Sequence, residues 1–327
     1  MIAWMLPGQG SQRAGMAASL EACGDLFEQA ESILGRDLAR LCTSPAVTSW
    51  PADLLQPVLY TTCVGAARAL LARGQRPDAV VGHSLGEFAA LTAADALSFE
   101  DGLRLVHARG RAMAAAGRRN PGAMAAVLGL AADRIEEICE RIEGVWVANY
   151  NSPKQSVISG TDAGLAEAAE ECRQAGAVRV IRLQVPVAGH SPLMEPALGE
   201  LVAAIEKAEL RSPTCRFYSV IDGATHTDPN EIAKLLATAL VRPVRFADAL
   251  RAMAGDGVGR FIEVGPGNVL VGLARQSLSH VDLALVTSDA EADAVAHQAQ
   301  DVASSNGKPS DRFRFDVEVE ARAGGSA

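Results

Sequence analysis

The chain has 327 residues, 49% of them hydrophobic and 21% charged, which is core enough for one large domain or a domain with an insertion. Its net charge of -9 excludes the extended basic surface that nucleic-acid binding requires, so an acidic partner must be met by a local basic patch. Six cysteines without C-x-x-C spacing indicate neither a metal site nor a disulfide framework, and no signal peptide or apolar run of spanning length is read, so the expectation is a cytoplasmic protein without membrane contact.

In chain order, a strand is predicted at residues 2–6, leading into Pro7-Gly8-Gln9-Gly10-Ser11-Gln12. The glycines flanking Gln9 permit close backbone approach, and their N–H groups can point at an anion, although the Lys-Ser/Thr ending of a phosphate loop is missing. Residues 15–60 read as helices and loops, with Pro57 at the first turn of a helix over 57–73. A buried strand at 79–82 then runs into Gly82-His83-Ser84-Leu85-Gly86, the G-x-S-x-G elbow, followed at once by an Ala-rich helix over 88–97. Glycines on both sides let the backbone turn sharply, which exposes the Ser84 hydroxyl and sets the next N–H groups at a helix N-terminus, a geometry suited to attack on a carbonyl. Ser98, followed three residues later by Asp101, reads as the cap of a helix running to about residue 116.

On that helix Arg109 has Leu105, Val106, Ala112 and Met113 as neighbours and so lies in the middle of the apolar face. A buried guanidinium needs a carboxylate, from the protein or from a ligand, and periodicity does not choose between them. Arg104, Arg111 and Arg118 fall on a solvated face. Residues 122–187 read as strands at 123–130, 145–149, 157–159 and 178–185 with helices at 131–142 and 162–176, the βαββαβ order of a ferredoxin-like unit. The chain then passes through His190, which is a candidate base or a surface histidine, since its pairing with Ser84 cannot be read from spacing. A helix at 195–209, a strand at 216–221, helices at 230–240 and from 246, a strand at 260–264, a helix at 268–278 and a strand at 283–286 complete a mainly parallel sheet covered on both faces. Beyond Ser288 a polar tail is expected, with a linker at 304–309 and Phe313, Phe315, Val317 and Val319 alternating with charges as a short strand or a disordered end. The predicted division is a large unit of residues 1–120 and 188–288, a small unit of 121–187 and a tail of 289–327.

Seven ordered motifs carry a resemblance: Pro7 to Gln12, Gly82 to Glu87, Arg109 to Met113, Asn151 to Gln155 with Val157 to Gly160, Gly189 to Met194, Pro243 to Phe246, and Glu263 to Gly267. Together they resemble the malonyl-CoA:acyl carrier protein transacylases of fatty-acid synthesis and the acyltransferases of polyketide synthases. The resemblance implies an α/β-hydrolase-like core with an inserted ferredoxin-like subdomain, in a free-standing, monomeric enzyme. It implies Ser84 as nucleophile, His190 as base, backbone N–H groups of Gln9 and Leu85 as oxyanion donors, and Arg109 pairing bidentately with the malonyl carboxylate. Coenzyme A thioester enters as substrate, no cofactor or metal is bound, and the partners are malonyl-CoA or a substituted malonyl-CoA and an acyl carrier protein.

In the family a backbone carbonyl, usually of a glutamine four residues before the Pro-Val motif, orients the histidine, and that position here is Ala239. Val187-Ala188-Gly189 before His190 departs from the serine more common in housekeeping malonyl enzymes, which leaves extender choice open. Five arginines in the acid-free stretch 102–122 are candidates for a local positive field facing coenzyme A phosphates or an acidic carrier protein. The rival readings are an acyl hydrolase of the same fold, whose members tend to lack the arginine, and a non-catalytic carrier-protein docking scaffold.

Overall fold

A computed structural model describes residues 1–185 and 187–304. The first part of the chain runs β1 (Ile2–Leu6), α1 (Ala22–Leu34), α2 (Leu38–Thr43), α3 (Ala52–Ala72), β2 (Ala79–Gly82), α4 (Gly86–Ala93) and α5 (Phe99–Arg119). Next come β3 (Ala123–Leu128), α6 (Ala132–Arg141), β4 (Val145–Ser152), β5 (Gln155–Gly160), α7 (Asp162–Gln174) and β6 (Arg179–Arg182). The rest is α8 (Leu198–Ile205), β7 (Arg216–Tyr218), β8 (Thr225–His226), α9 (Pro229–Thr238), α10 (Phe246–Gly255), β9 (Arg260–Val264), α11 (Val269–Ser277), β10 (Asp282–Val286) and α12 (Asp289–Ser304).

The larger sheet has the order β10-β9-β1-β2-β7-β8 and is parallel except where β8 returns antiparallel along β7. β1 lies inside this sheet and reads Ile-Ala-Trp-Met-Leu because helices cover both of its faces and leave no side for polar residues. Leu6 pairs with Gly82, so the loops that leave the carboxyl ends of β1 and β2, carrying Gln9 and Ser84, emerge side by side. Open parallel sheets place ligands at such a carboxyl edge.

α3 is buried against α1, α4 and α5. By length and composition it could cross a bilayer, contrary to the expectation that no such run exists, yet 83% of its apolar window is buried inside the protein, which makes it a core helix. It also starts five residues earlier than predicted, so Pro57 sits inside the helix instead of at its first turn. The carbonyl of Asp53, which a residue-57 N–H would normally satisfy, accepts instead from His107 Nδ1 at 3.3 Å on α5. α5 can approach this closely because residue 110 is glycine; a Cβ there would fall 2.5 Å from the Ala52 carbonyl oxygen. Ser98 caps α5 as predicted, accepting from the Asp101 N–H.

The second sheet is antiparallel in the order β4-β5-β3-β6, with α6 and α7 packed over one face through Ile135, Ile138, Leu165 and Ala168. β4 is stitched to the segment before α10, with Val244 N donating to Ala148 O and Tyr150 N to Val244 O, both at 2.8 Å. Several expected elements shorten: the serine helix ends at Ala93 instead of 97, the strand at 123–130 ends at Leu128, the strand at 178–185 is only Arg179–Arg182, the helix at 195–209 is a 3-10 segment (Pro192–Ala197) followed by α8, and the strand at 216–221 ends at Tyr218, where Ser219 and Val220 turn to bond Glu87. The tail expected from residue 289 opens instead as α12, which buries Ala292 and Val295 and offers Asp289 and Asp293 to Arg73, the residue that caps the C-terminus of α3. The strand expected around Phe313 to Val319 and the linker from 305 lie outside the described residues.

Candidate active site

The turn between β2 and α4 has the geometry its glycines imply. A Cβ at Gly82 would lie 2.0 Å from the Gly86 carbonyl carbon, and one at Gly86 would lie 1.9 Å from the Leu6 carbonyl oxygen. Ser84 itself takes φ 55°, a left-handed conformation rare outside glycine, and this projects its hydroxyl out of the turn.

Although 106 residues separate them, Ser84 Oγ and His190 Nε2 are 2.8 Å apart. His190, also left-handed at φ 60°, has its Nδ1 2.8 Å from the Ala239 carbonyl and 3.0 Å from that of Arg242. Carbonyls only accept, so Nδ1 carries the proton and Nε2 offers its lone pair to the Ser84 hydroxyl. Burial first, and the Arg109 charge second, push His190 down to about 3, so the imidazole is a neutral acceptor at physiological pH. Ala239 thus supplies a backbone oxygen where the sequence pointed to it; the second oxygen, from Arg242, was not foreseen, its only signal being its place just before Pro243.

Arg109 is 1% exposed, and its Nη2 donates to Ser84 Oγ at 2.9 Å. Among the described residues no carboxylate lies within ion-pair distance of it. Burial pulls its pKa down to about 10, opposed by the charge of Glu87. Glu87, missed by the sequence reading although it closes the serine motif, is 1% exposed and directs one carboxylate oxygen to Ser219 Oγ at 2.9 Å and Val220 N at 3.1 Å. Desolvation raises it to about 7, so near neutrality it only partly balances the arginine. Of the two partners open to Arg109, the described residues do not supply a carboxylate at bonding distance.

The N–H groups of Gln9 and Leu85 make no hydrogen bond among the described residues. The two loops touch: a Cβ on Gly8 would come within 3.6 Å of Leu85 N. Gln9 is held by Gln56 Nε2 on α3, which donates to Gln9 Oε1 at 2.9 Å. Asn151 on β4 likewise holds His83, the residue before the serine, with Oδ1 accepting from Nε2 at 2.8 Å, so the small sheet grips the turn directly. A cavity of about 190 Å³ opens beside Gln9, walled by Trp50, Leu55 and Val187 with Arg118 at its edge, and a second of about 530 Å³ opens on the His190 side, between Trp146, Tyr150 and Pro243. Among the described residues no cluster of His, Cys, Asp or Glu could hold a metal ion.

Residues 3–304 match the acyl transferase domain family. The chain is 36% identical over 309 residues to the malonyl CoA-acyl carrier protein transacylase of Haemophilus influenzae, covering 90% of this chain and 97% of that one. The solved malonyl CoA-acyl carrier protein transacylase of Coxiella burnetii superposes with a TM-score of 0.88 at 36% identity, covering 91% and 97% of the two chains. A malonyl-transacylase solved in complex with its type II PKS acyl-carrier protein superposes with a TM-score of 0.87 at 31% identity, over 91% of this chain and 99% of that one. With a serine, a histidine and a buried arginine converging at one sheet edge, and these likenesses running nearly the full length of both chains, the protein belongs to the acyl transferase family of malonyl-CoA:acyl carrier protein transacylases.

Proposed function

We propose that the protein transfers a malonyl-type unit from coenzyme A to the phosphopantetheine thiol of an acyl carrier protein through a seryl-enzyme intermediate, in fatty-acid or polyketide synthesis. The observation that carries this reading is the position of Ser84 Oγ between a neutral imidazole and an arginine with no carboxylate at bonding distance among the described residues. His190 Nε2 takes the Ser84 proton as Oγ attacks the thioester carbon, and the oxyanion is received by the N–H groups of Gln9 and Leu85, each donor worth about 10²–10³ in rate. The proton then passes from His190 to the departing coenzyme A sulfur. In the second half-reaction the carrier thiol gives its proton to His190 and attacks the acyl-serine; the Ser84 Oγ–C bond breaks, and Oγ takes the proton back from His190 Nε2. Arg109 pairs with the free carboxylate of the acyl group, and truncating such a buried pair costs on the order of 2–5 kcal/mol, enough to separate malonyl from acetyl. Ala239 holds the imidazole through its carbonyl.

No step uses a metal or resident cofactor. Residues 1–120 and 188–288 form an α/β-hydrolase-like core that α12 continues, and 121–187 form an inserted ferredoxin-like subdomain, a reading supported by the βαββαβ order and the antiparallel β4-β5-β3-β6 sheet. The enzyme works as a cytoplasmic monomer, without nucleic acid or membrane. Intact-mass measurement tests the reading: malonyl-CoA is expected to add one malonyl group, Ser84→Ala to abolish the adduct, and a carrier protein to remove it. Loss of the adduct to water with no loading of the carrier would overturn it in favour of a hydrolase.

A further inference from the structure

The nucleophile is already occupied before any substrate arrives. Ser84 Oγ–H donates to His190 Nε2 at 2.8 Å and Oγ accepts from Arg109 Nη2 at 2.9 Å, so the guanidinium and the imidazole share one oxygen. Both are buried. We propose that Arg109 gates the reaction: in the free enzyme its charge holds Ser84 and opposes formation of the imidazolium, and only an acyl donor with its own free carboxylate draws that charge away and releases the Ser84–His190 pair. The proposal rests on the transacylase reading above and adds to it that the substrate's carboxylate accelerates the chemistry, beyond anchoring the acyl group.

During acylation the Oγ–H proton moves to Nε2, the Oγ–C bond forms, the C–S bond breaks, and the coenzyme A thiolate takes the proton back from Nε2. Midway, the imidazolium lies within one oxygen's width of a buried guanidinium, where like charges interact strongly. Among the described residues, the other groups facing His190 offer no full negative charge at bonding distance. His83 is neutral and bonded to Asn151; the Ala239 and Arg242 carbonyls contribute only dipoles; Tyr150 and Cys139 line the adjoining cavity uncharged; and Glu136, Glu140 and Glu143 stand at its exposed rim, where water screens them. Glu87, on the arginine's side, spends its bonded oxygen on Ser219 and Val220. A carboxylate delivered with the substrate is therefore the charge that offsets Arg109 when the proton moves.

Acetyl-CoA and formate are malonyl-CoA divided at one carbon–carbon bond, and together they test the gate. The full-length protein is mixed with acetyl-CoA at fixed ionic strength, and the acetylation rate of Ser84 is followed by intact mass as sodium formate replaces sodium chloride. The expected result is a saturable acceleration on the order of tenfold, equivalent to about one pKa unit returned to the imidazole. Formamide, the uncharged analogue, gives none, and Arg109→Gln removes the formate response. Should Arg109→Gln fail to fold, the formate-against-formamide comparison in the unaltered protein still decides. A rate unchanged or lowered by formate, while malonyl-CoA still acylates Ser84, overturns the gate and leaves the transacylase reading intact. Absence of the malonyl adduct itself overturns that reading, and the gate with it.

Discussion

Replacing Glu87 with glutamine tests the electrostatics behind the site. The carboxyl group is raised by burial from 4.5 to about 7, so between those values the folded protein keeps a proton that the unfolded chain has released. Its contribution to stability therefore falls as pH rises through that window, by about 2–3 kcal/mol between about pH 5 and pH 8, and is constant above it. His190 acts in the opposite sense: lowered from 6.5 to about 3, it binds a proton more readily when unfolded, and stability rises with pH up to about 6.5. The two contributions nearly cancel in the unaltered protein, so its own pH profile isolates neither. The difference between Glu87→Gln and the parent does, because the His190 contribution is common to both and any hydrogen bond altered at Ser219 or Val220 adds an offset independent of pH. Urea unfolding at the two pH values is expected to show the variant gaining about 2–3 kcal/mol relative to the parent on going from pH 5 to pH 8. A difference that stays constant, or that shrinks with pH, would show that Glu87 is an ordinary carboxylate and that Arg109 is already neutralised from within.

In the Glu87→Gln variant, where no carboxyl titrates beside Arg109, the acylation rate with malonyl-CoA is expected to be flat between about pH 6 and pH 8, because a lowered His190 remains a neutral base throughout, and an inflection near 6.5 would refute that assignment. Gly86→Ala drives a Cβ to 1.9 Å from the Leu6 carbonyl oxygen and is expected to cost at least about 3 kcal/mol in thermal or urea unfolding and to abolish the malonyl adduct. His107→Ala leaves the Asp53 carbonyl without its donor, at a cost of about 1 kcal/mol, and Pro57→Ala restores an N–H there. The double variant is therefore expected to lose less than the His107→Ala variant loses alone, and additive losses in the cycle would show that the histidine contributes nothing to that carbonyl.

What was legible in the sequence was what one element writes along its own length. Arg109 declared its burial because helical neighbours three and four residues away are all apolar, and the Ser84 turn declared itself through glycines that sterics require. The spacing of apolar runs likewise gave most strands of both sheets. Groups that act across the topology were hidden. Ser84 and His190 meet only because the small sheet leaves and returns between them, and the Arg242 oxygen, being backbone, carries no residue identity to read. α12 looked like tail because its buried surface is a few small residues such as Ala292 and Val295, and its acidic partners for Arg73 lie more than 200 residues away in the chain. α3 began early because a donor on another helix covers the one carbonyl that Pro57 leaves open, a compensation invisible within the helix itself.

On the gate proposed for Arg109, a histidine oriented by carbonyls and not by an acid has a reason. A carboxylate bonded to His190 Nδ1 would stabilise the imidazolium whichever acyl donor was present, and the charge balance across Ser84 would no longer depend on the substrate. Two backbone oxygens fix the ring and its tautomer equally well while adding no charge, so Arg109 remains the dominant full charge acting on the imidazole. Ala239 stands where a glutamine is usual in the family, and it can do so because the orienting group is its carbonyl, which every residue at that position would carry.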